Sequence, residues 1–249
     1  MKNIEKSRNT EEQINFYDEQ ENFIANANGM NSEKFRAFPV FATRQSVTYL
    51  LERYQLYMMA KNVPGNIIEC GVGNGFGLMS FAHFCSIYEP YHYVRKIVGF
   101  DTFEGFTPPD EKDMTSKAGH MKEGGLHYDS YETLLESIKL YDKNRALGHI
   151  EKVEIIKGDI SKTLPKYLEE NPQLVVSILY LDMDLYKPTK DTIELLYNRL
   201  PKGGMIVFDE LNHSDYPGET IALMETIGTS NLKLERLDIS SMLAYAKKD

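Results

Sequence analysis

The chain has 249 residues, with 28 basic and 37 acidic side chains and a formal net charge of -9. Hydrophobic residues at 42% and charged residues at 26% describe a chain able to bury a core, which excludes wholesale disorder. The acidic balance argues against a nucleic-acid binder, and no apolar run approaches the roughly 18 residues that a bilayer span requires.

The first residues, Met1 to Lys6, are polar and lack the apolar stretch of a signal peptide. Two cysteines, Cys70 and Cys85, are too few for a disulfide framework, so the expected compartment is the reducing cytoplasm. Residues 1–42 read as an N-terminal arm or lid, rich at first in Asn, Glu, Gln and Lys, with Phe16, Tyr17 and Phe23 scattered through it. Residues 43–249 read as the main domain. It opens with a helix from Thr43 to Lys61 that carries Val47, Leu50, Leu51, Tyr54, Tyr57 and Met58 at helical spacing. Val63-Pro64-Gly65-Asn66 ends it.

Strands and helices then alternate. Ile67–Cys70 is a short buried strand, followed by the turn Gly71–Gly77 and an apolar helix, Leu78 to Tyr88. Lys96–Asp101 is the second strand, Tyr131 to Tyr141 an amphipathic helix, Val153–Ile156 the third strand and Val175–Leu181 the fourth. A helix bearing Ile193, Leu196, Tyr197 and Leu200 leads through Pro201–Gly204 to the strand Met205–Phe208. After a helix near Glu219 to Thr226, Leu232–Leu237 and Met242–Ala246 form a terminal antiparallel hairpin. Apolar strands separated by helices predict an α/β fold with a mostly parallel sheet covered on both faces. The aperiodic segment 102–129 does not fit this alternation and reads as a lid or substrate-binding insertion, with a plain surface excursion as the alternative. Its His120 and His127 are candidates for lining a substrate pocket.

In an open sheet of this kind, ligands bind beyond the carboxyl ends of the strands. Glycines at alternate positions in Glu69-Cys70-Gly71-Val72-Gly73-Asn74-Gly75 let backbone approach a ligand and start a helix at once. Counting from Gly71 or Gly73, the sixth position is Phe76 or Leu78, so the dinucleotide fingerprint fails and a nicotinamide oxidoreductase is disfavoured. An acidic residue before alternating glycines instead suits S-adenosylmethionine (SAM), a cationic ligand. Asp101 could accept ribose hydroxyls, and Asp159 could hold an adenine amino group or cap the helix near Ser161. The candidate donor-binding residues are Glu69, Gly71, Gly73, Asn74, Gly75, Asp101, Thr102, Phe103, Asp159, Ile160 and Asp182.

Asp182 and Asp184 lie at i and i+2 after the fourth strand, and Asp209 and Glu210 follow the fifth. If those strands are neighbours, four carboxylates meet in one crevice, and their repulsion calls for a hard cation such as Mg²⁺. Asp184, Asp182 and His213 are the candidate catalytic residues, with His213 open to a plain loop role.

Together these residues resemble a class I SAM-dependent methyltransferase with a Rossmann-like, seven-stranded fold. More narrowly they resemble the macrocin and mycinamicin O-methyltransferases of TylF/MycF type. The marks are Glu69 to Gly73, Gly99 to Phe106, Asp182-Met183-Asp184-Leu185-Tyr186 with Thr189, and Pro201 to Gly204 leading to Asp209-Glu210. The resemblance implies Mg²⁺ held by Asp182, Asp209 and Glu210, with Asp184 as general base. Glu210 stands where many members carry Asp. The implied acceptor is a small sugar-like molecule: a nucleotide deoxysugar, a glycosylated natural product or a surface-glycan precursor. A catechol-type methyltransferase and a non-catalytic SAM-binding protein are the alternatives. No nucleic acid or membrane partner is expected, and a homodimer or higher homo-oligomer is.

Overall fold

A computed structural model describes residues 9–249 in two compact units, divided between Leu51 and Glu52. The polar opening hexapeptide lies outside the described residues. In the first unit, α1 (Glu11–Asn26) starts from a capping box: Thr10 Oγ1 accepts the Gln13 amide at 3.3 Å, and Gln13 Oε1 accepts the Thr10 amide at 2.9 Å. The short helices α2 (Asn31–Arg36) and α3 (Phe38–Phe41) follow. Gln20 donates to the Phe41 carbonyl at 3.0 Å, and the Phe23 and Phe41 rings stack at 5.5 Å. The described residues from Glu11 to Phe41 are thus largely helical. The division between the units falls within α4 (Arg44–Ala60), whose first turn is capped by Thr43 Oγ1 on the Ser46 amide at 3.0 Å.

In the second unit the elements run β1 (Asn66–Cys70), α5 (Phe76–Tyr88), β2 (Ile97–Asp101), α6 (Tyr131–Lys143), β3 (Val153–Lys157), α7 (Ile160–Glu170), β4 (Val176–Leu181), α8 (Tyr186–Leu196), β5 (Met205–Phe208), α9 (Pro217–Thr226), β6 (Glu235–Arg236) and β7 (Ala244–Lys247). The seven strands form one sheet in the order β3-β2-β1-β4-β5-β7-β6. The first five in that order are parallel; β7 runs antiparallel to β5, and β6 to β7. This is the predicted architecture, with the hairpin strands shorter than the pattern suggested.

All six residues of β4 are buried, as a central strand covered on both faces requires. Alternation along the strands sends Ile68, Cys70, Leu179 and Leu181 into one core with Leu164, Ile193 and Leu223 of α7, α8 and α9. It sends Tyr180 to the other face, where Phe81 of α5 meets it with ring centroids 6.4 Å apart. Cys70 and Cys85 are free and buried.

The register matters more than the topology. Cys70 pairs with Phe100 and with Leu181, and Leu181 pairs with Phe208. The next residue along each strand, namely Gly71, Asp101, Asp182 and Asp209, therefore ends at one level, in a row across the sheet. The winding reverses between β1 and β4, so the glycine turn and Asp182 flank the crevice where such sheets bind ligands.

Candidate active site

Gly71 begins the crevice. Its φ of 90° lies in the left-handed region, and a Cβ there would overlap the carbonyl oxygen of Asp182. Only glycine lets β1 and β4 end this close together. The turn that follows is held from β2: Asp101 Oδ2 accepts the amides of Val72 at 2.7 Å and Gly73 at 2.8 Å, and Oδ1 accepts that of Phe103 at 2.6 Å. The carboxylate expected to meet a ribose therefore also shapes the glycine turn. Asn74 Oδ1 accepts the Phe76 amide at 3.2 Å, and Gly75 caps α5 in a left-handed conformation. Thr102 donates to the Gly105 carbonyl at 2.6 Å, and Phe103, itself at φ 53°, is buried with its ring 5.0 Å from that of Tyr131.

Asp159 and Ile160 take different places. Asp159 caps α7, with Oδ1 on the Ser161 amide at 3.0 Å and Oδ2 3.0 Å from Lys162 Nζ. Ile160, the first residue of α7, turns its side chain into the core. Of the two roles open to Asp159, the structure displays the cap.

Glu69 lies beneath the first turn of α5 and is buried. It accepts the Leu78 amide, while its Oε2 has no hydrogen-bond partner. Burial raises its carboxyl to about 8, against the opposing pull of Arg53.

The acidic side is crowded. Asp182, Asp184, Asp209 and Glu210 act on one another, and a fifth carboxylate, Glu219 at the start of α9, joins them. Glu219 is fully buried and accepts the Glu210 amide at 3.3 Å. Asp184 sits in a tight turn at φ 62°, rare for a residue with a side chain. Burial raises its carboxyl to about 6, while a hydrogen bond from Glu210 opposes the rise. Burial first, then neighbouring carboxylates, hold Asp182, Glu210 and Glu219 well above the usual range. Glu210 Oε2 and Glu219 Oε1 are buried without partners. Among the described residues, no three His, Cys, Asp or Glu side chains stand as a ready-made set of metal ligands.

His213 lies in the loop beyond Glu210; its Nδ1 accepts the Asp215 amide at 3.3 Å, and its ring is 5.1 Å from that of Tyr216. His120, from the insertion, meets the Tyr216 hydroxyl at 2.6 Å, whereas His127 is exposed. The insertion is anchored as well. Asp113 is fully buried and accepts the Tyr186 amide at 2.9 Å, so it caps α8 from outside the helix, and Lys112 pairs with Glu225 of α9.

Sequence reasoning passed over Arg53, Tyr128, Tyr180 and the role of Glu219. Arg53 had a signal: Arg53, Leu56, Tyr57 and Ala60 occupy one helical stripe, and all are buried. Tyr128, at the end of the insertion, lies against the glycine turn, 3.7 Å from where a Cβ on Gly73 would stand. Its hydroxyl is raised by burial and by Asp182 and Asp184.

The profile of the macrocin O-methyltransferase (TylF) family matches residues 44–238. Demethyldecarbamoylnovobiocin O-methyltransferase of Streptomyces niveus is 24% identical over 155 residues, 61% of this chain and 55% of that protein, so the match spans little more than half of that relative. Two solved structures of CalS11 share 32% of residues. One, a calicheamicin methyltransferase, has a TM-score of 0.91 and covers 96% of this chain and 94% of its own. The other, an apo TDP-rhamnose 3'-O-methyltransferase of calicheamicin biosynthesis, has a TM-score of 0.83 and covers 96% of each chain. The O-methyltransferase NovP shares the fold, with a TM-score of 0.61 at 22% identity over 81% of this chain and 80% of its own. With the profile match extending from α4 into β6, this chain belongs to the macrocin O-methyltransferase family of Rossmann-like class I methyltransferases.

Proposed function

We propose that this O-methyltransferase uses SAM to methylate a hydroxyl of a small sugar-like acceptor, assisted by a divalent cation. The observation that carries the reading is the gathering of five carboxylates beside the glycine turn, two of them with unpartnered buried oxygens. A domain that only bound a donor would gain nothing from such repulsion. The sugar-like acceptor is supported by the TDP-rhamnose O-methyltransferase structure, similar at 32% identity over nearly the whole chain.

The donor set is chemically suited to Mg²⁺, since it consists of hard carboxylate oxygens with excess negative charge. Asp182, Asp209 and Glu210 would hold the cation. When bound, it supplies positive charge that favours an ionising hydroxyl. The sulfonium donor supplies an electrophilic methyl group.

The chain's own residues do the remainder. Asp101, by fixing the Val72 and Gly73 amides, keeps the turn shaped for the donor before it arrives. Asp184, held in its left-handed turn, would take the proton from the acceptor hydroxyl oxygen. Tyr128 borders both the turn and the aspartates, and so narrows the space in which donor and acceptor meet.

Calorimetry with SAM, followed by methylation assays on TDP-rhamnose with Mg²⁺ or with chelator, tests this reading. The expected result is donor binding and a turnover of the nucleotide sugar that chelation lowers at least tenfold. Methylation of catechol in its place would overturn the acceptor, and undiminished turnover in chelator would overturn the metal.

A further inference from the structure

One buried cation underlies the acidic crevice. Arg53, in the part of α4 that belongs to the second unit, is buried, with its guanidinium carbon 3.9 Å above the Tyr180 ring. Its Nη2 lies 3.7 Å from Asp209 Oδ1, and the Tyr180 hydroxyl donates to that same oxygen. Both contacts fall on Oδ1, and neither uses Oδ2. The other charged or ionisable groups acting on Arg53 are Glu69 and Asp182, with Glu52 at 3.9 Å on its own helix. Its Nε and Nη1 are buried without hydrogen-bond partners, so its attachments here are electrostatic and aromatic. The spacing is enforced from above: a Cβ on Gly77 of α5 would overlap Glu69 Oε1 and come within 3.2 Å of Arg53 Nε.

We propose that Arg53 is a positioning residue, the crevice's permanent cation, which with Tyr180 clamps Asp209 through Oδ1 and holds it against the repulsion of its acidic neighbours. The other oxygen of Asp209 is then left for a ligand. The clamp offsets one charge of the cluster without any added ion, so the crevice can assemble before a cation arrives. Arginine suits the task because it stays charged when buried and stacks on an aromatic face.

The inference rests on the acidic crevice just described, but its first test needs no metal. In chelator, repulsion within the cluster alone predicts that Asp209→Asn raises the thermal midpoint, because it removes a like charge. The clamp predicts a fall, since the buried Arg53 would lose its partner; a loss of about 5 °C is expected for a half-buried pair in a domain of this size. A rise would overturn the proposal. Arg53→Met should lower the midpoint by about 10 °C, and Arg53→Met/Asp209→Asn should lie above the sum of the two losses. Strict additivity would also overturn it. Should Arg53→Met not fold, the sign of the Asp209→Asn shift still decides.

A second readout separates positioning from mere packing. Mn²⁺ should raise the midpoint of Arg53→Met more than that of the wild type, because it replaces the missing charge, and Arg53→Lys should recover most of the wild-type behaviour. Equal Mn²⁺ shifts in wild type and Arg53→Met would count against the clamp. No shift in any variant would sink the metal reading instead, while the measurements in chelator still judge Arg53.

Discussion

The two sides of the crevice treat the same kind of residue in opposite ways. On the side of β1 and β2, Asp101 receives three backbone amides between 2.6 and 2.8 Å, and in exchange it holds the glycine turn in shape. On the side of β4 and β5, the buried Asp184 and Glu219 and the half-buried Asp182 and Glu210 crowd one another, with unpartnered oxygens on Glu210 and Glu219. A carboxylate that the backbone satisfies is part of the scaffold. Carboxylates buried together without donors cost stability, and a fold that keeps them reserves them for a ligand or a proton. Arg53 is where the chain partly compensates the second side from within.

The contrast can be tested one residue at a time. The largest effect should come from the acidic side. Asp184→Asn keeps the shape but removes the proton acceptor, so turnover should drop by about 10²- to 10⁴-fold. Calorimetry should find donor affinity nearly unchanged, because the glycine turn is intact. Comparable turnover would remove Asp184 as the base.

On the scaffold side, Asp101→Ala should instead cost stability and donor binding together. Three amides lose a charged acceptor, for a loss of about 3 kcal/mol after partial rescue by water. Chemical denaturation and SAM titration would measure both effects. Loss of turnover with neither would contradict the scaffold role.

The last test concerns pH. Glu69 is raised to about 8 from an ordinary value of 4.5, because burial penalises its charge. Its contribution to stability is therefore complete below pH 4.5 and lost as the pH rises through 8. Glu69→Gln should flatten the decline in thermal midpoint over that range, and an unchanged slope would assign the decline to other groups.

Much of this arrangement was legible from the sequence. The short, mostly apolar runs at β1, β4 and β5 and the glycines after Glu69 marked the parallel sheet, because a strand covered on both faces is apolar along most of its length. Asp182, Asp184, Asp209 and Glu210 could be suspected of meeting because each closes a strand. Glu219 and Arg53 were harder, since both lie on helices, where a charged residue is ordinarily a solvated one. Asp113 gave no local sign either, because the amide it caps lies 73 residues further along the chain.

What the sequence alone determined was the class of architecture, the identity of the strand ends and the chemistry stored there, all properties of short windows read by period and residue type. What only the tertiary structure decided was register and partnership: which strand ends share a level, which carboxylate meets amides and which meets its own kind, and that an arginine from α4 lies beneath them. Burial and charge act through space. No window of the chain contains both Arg53 and Asp209, so their interaction exists only once the sheet has been assembled.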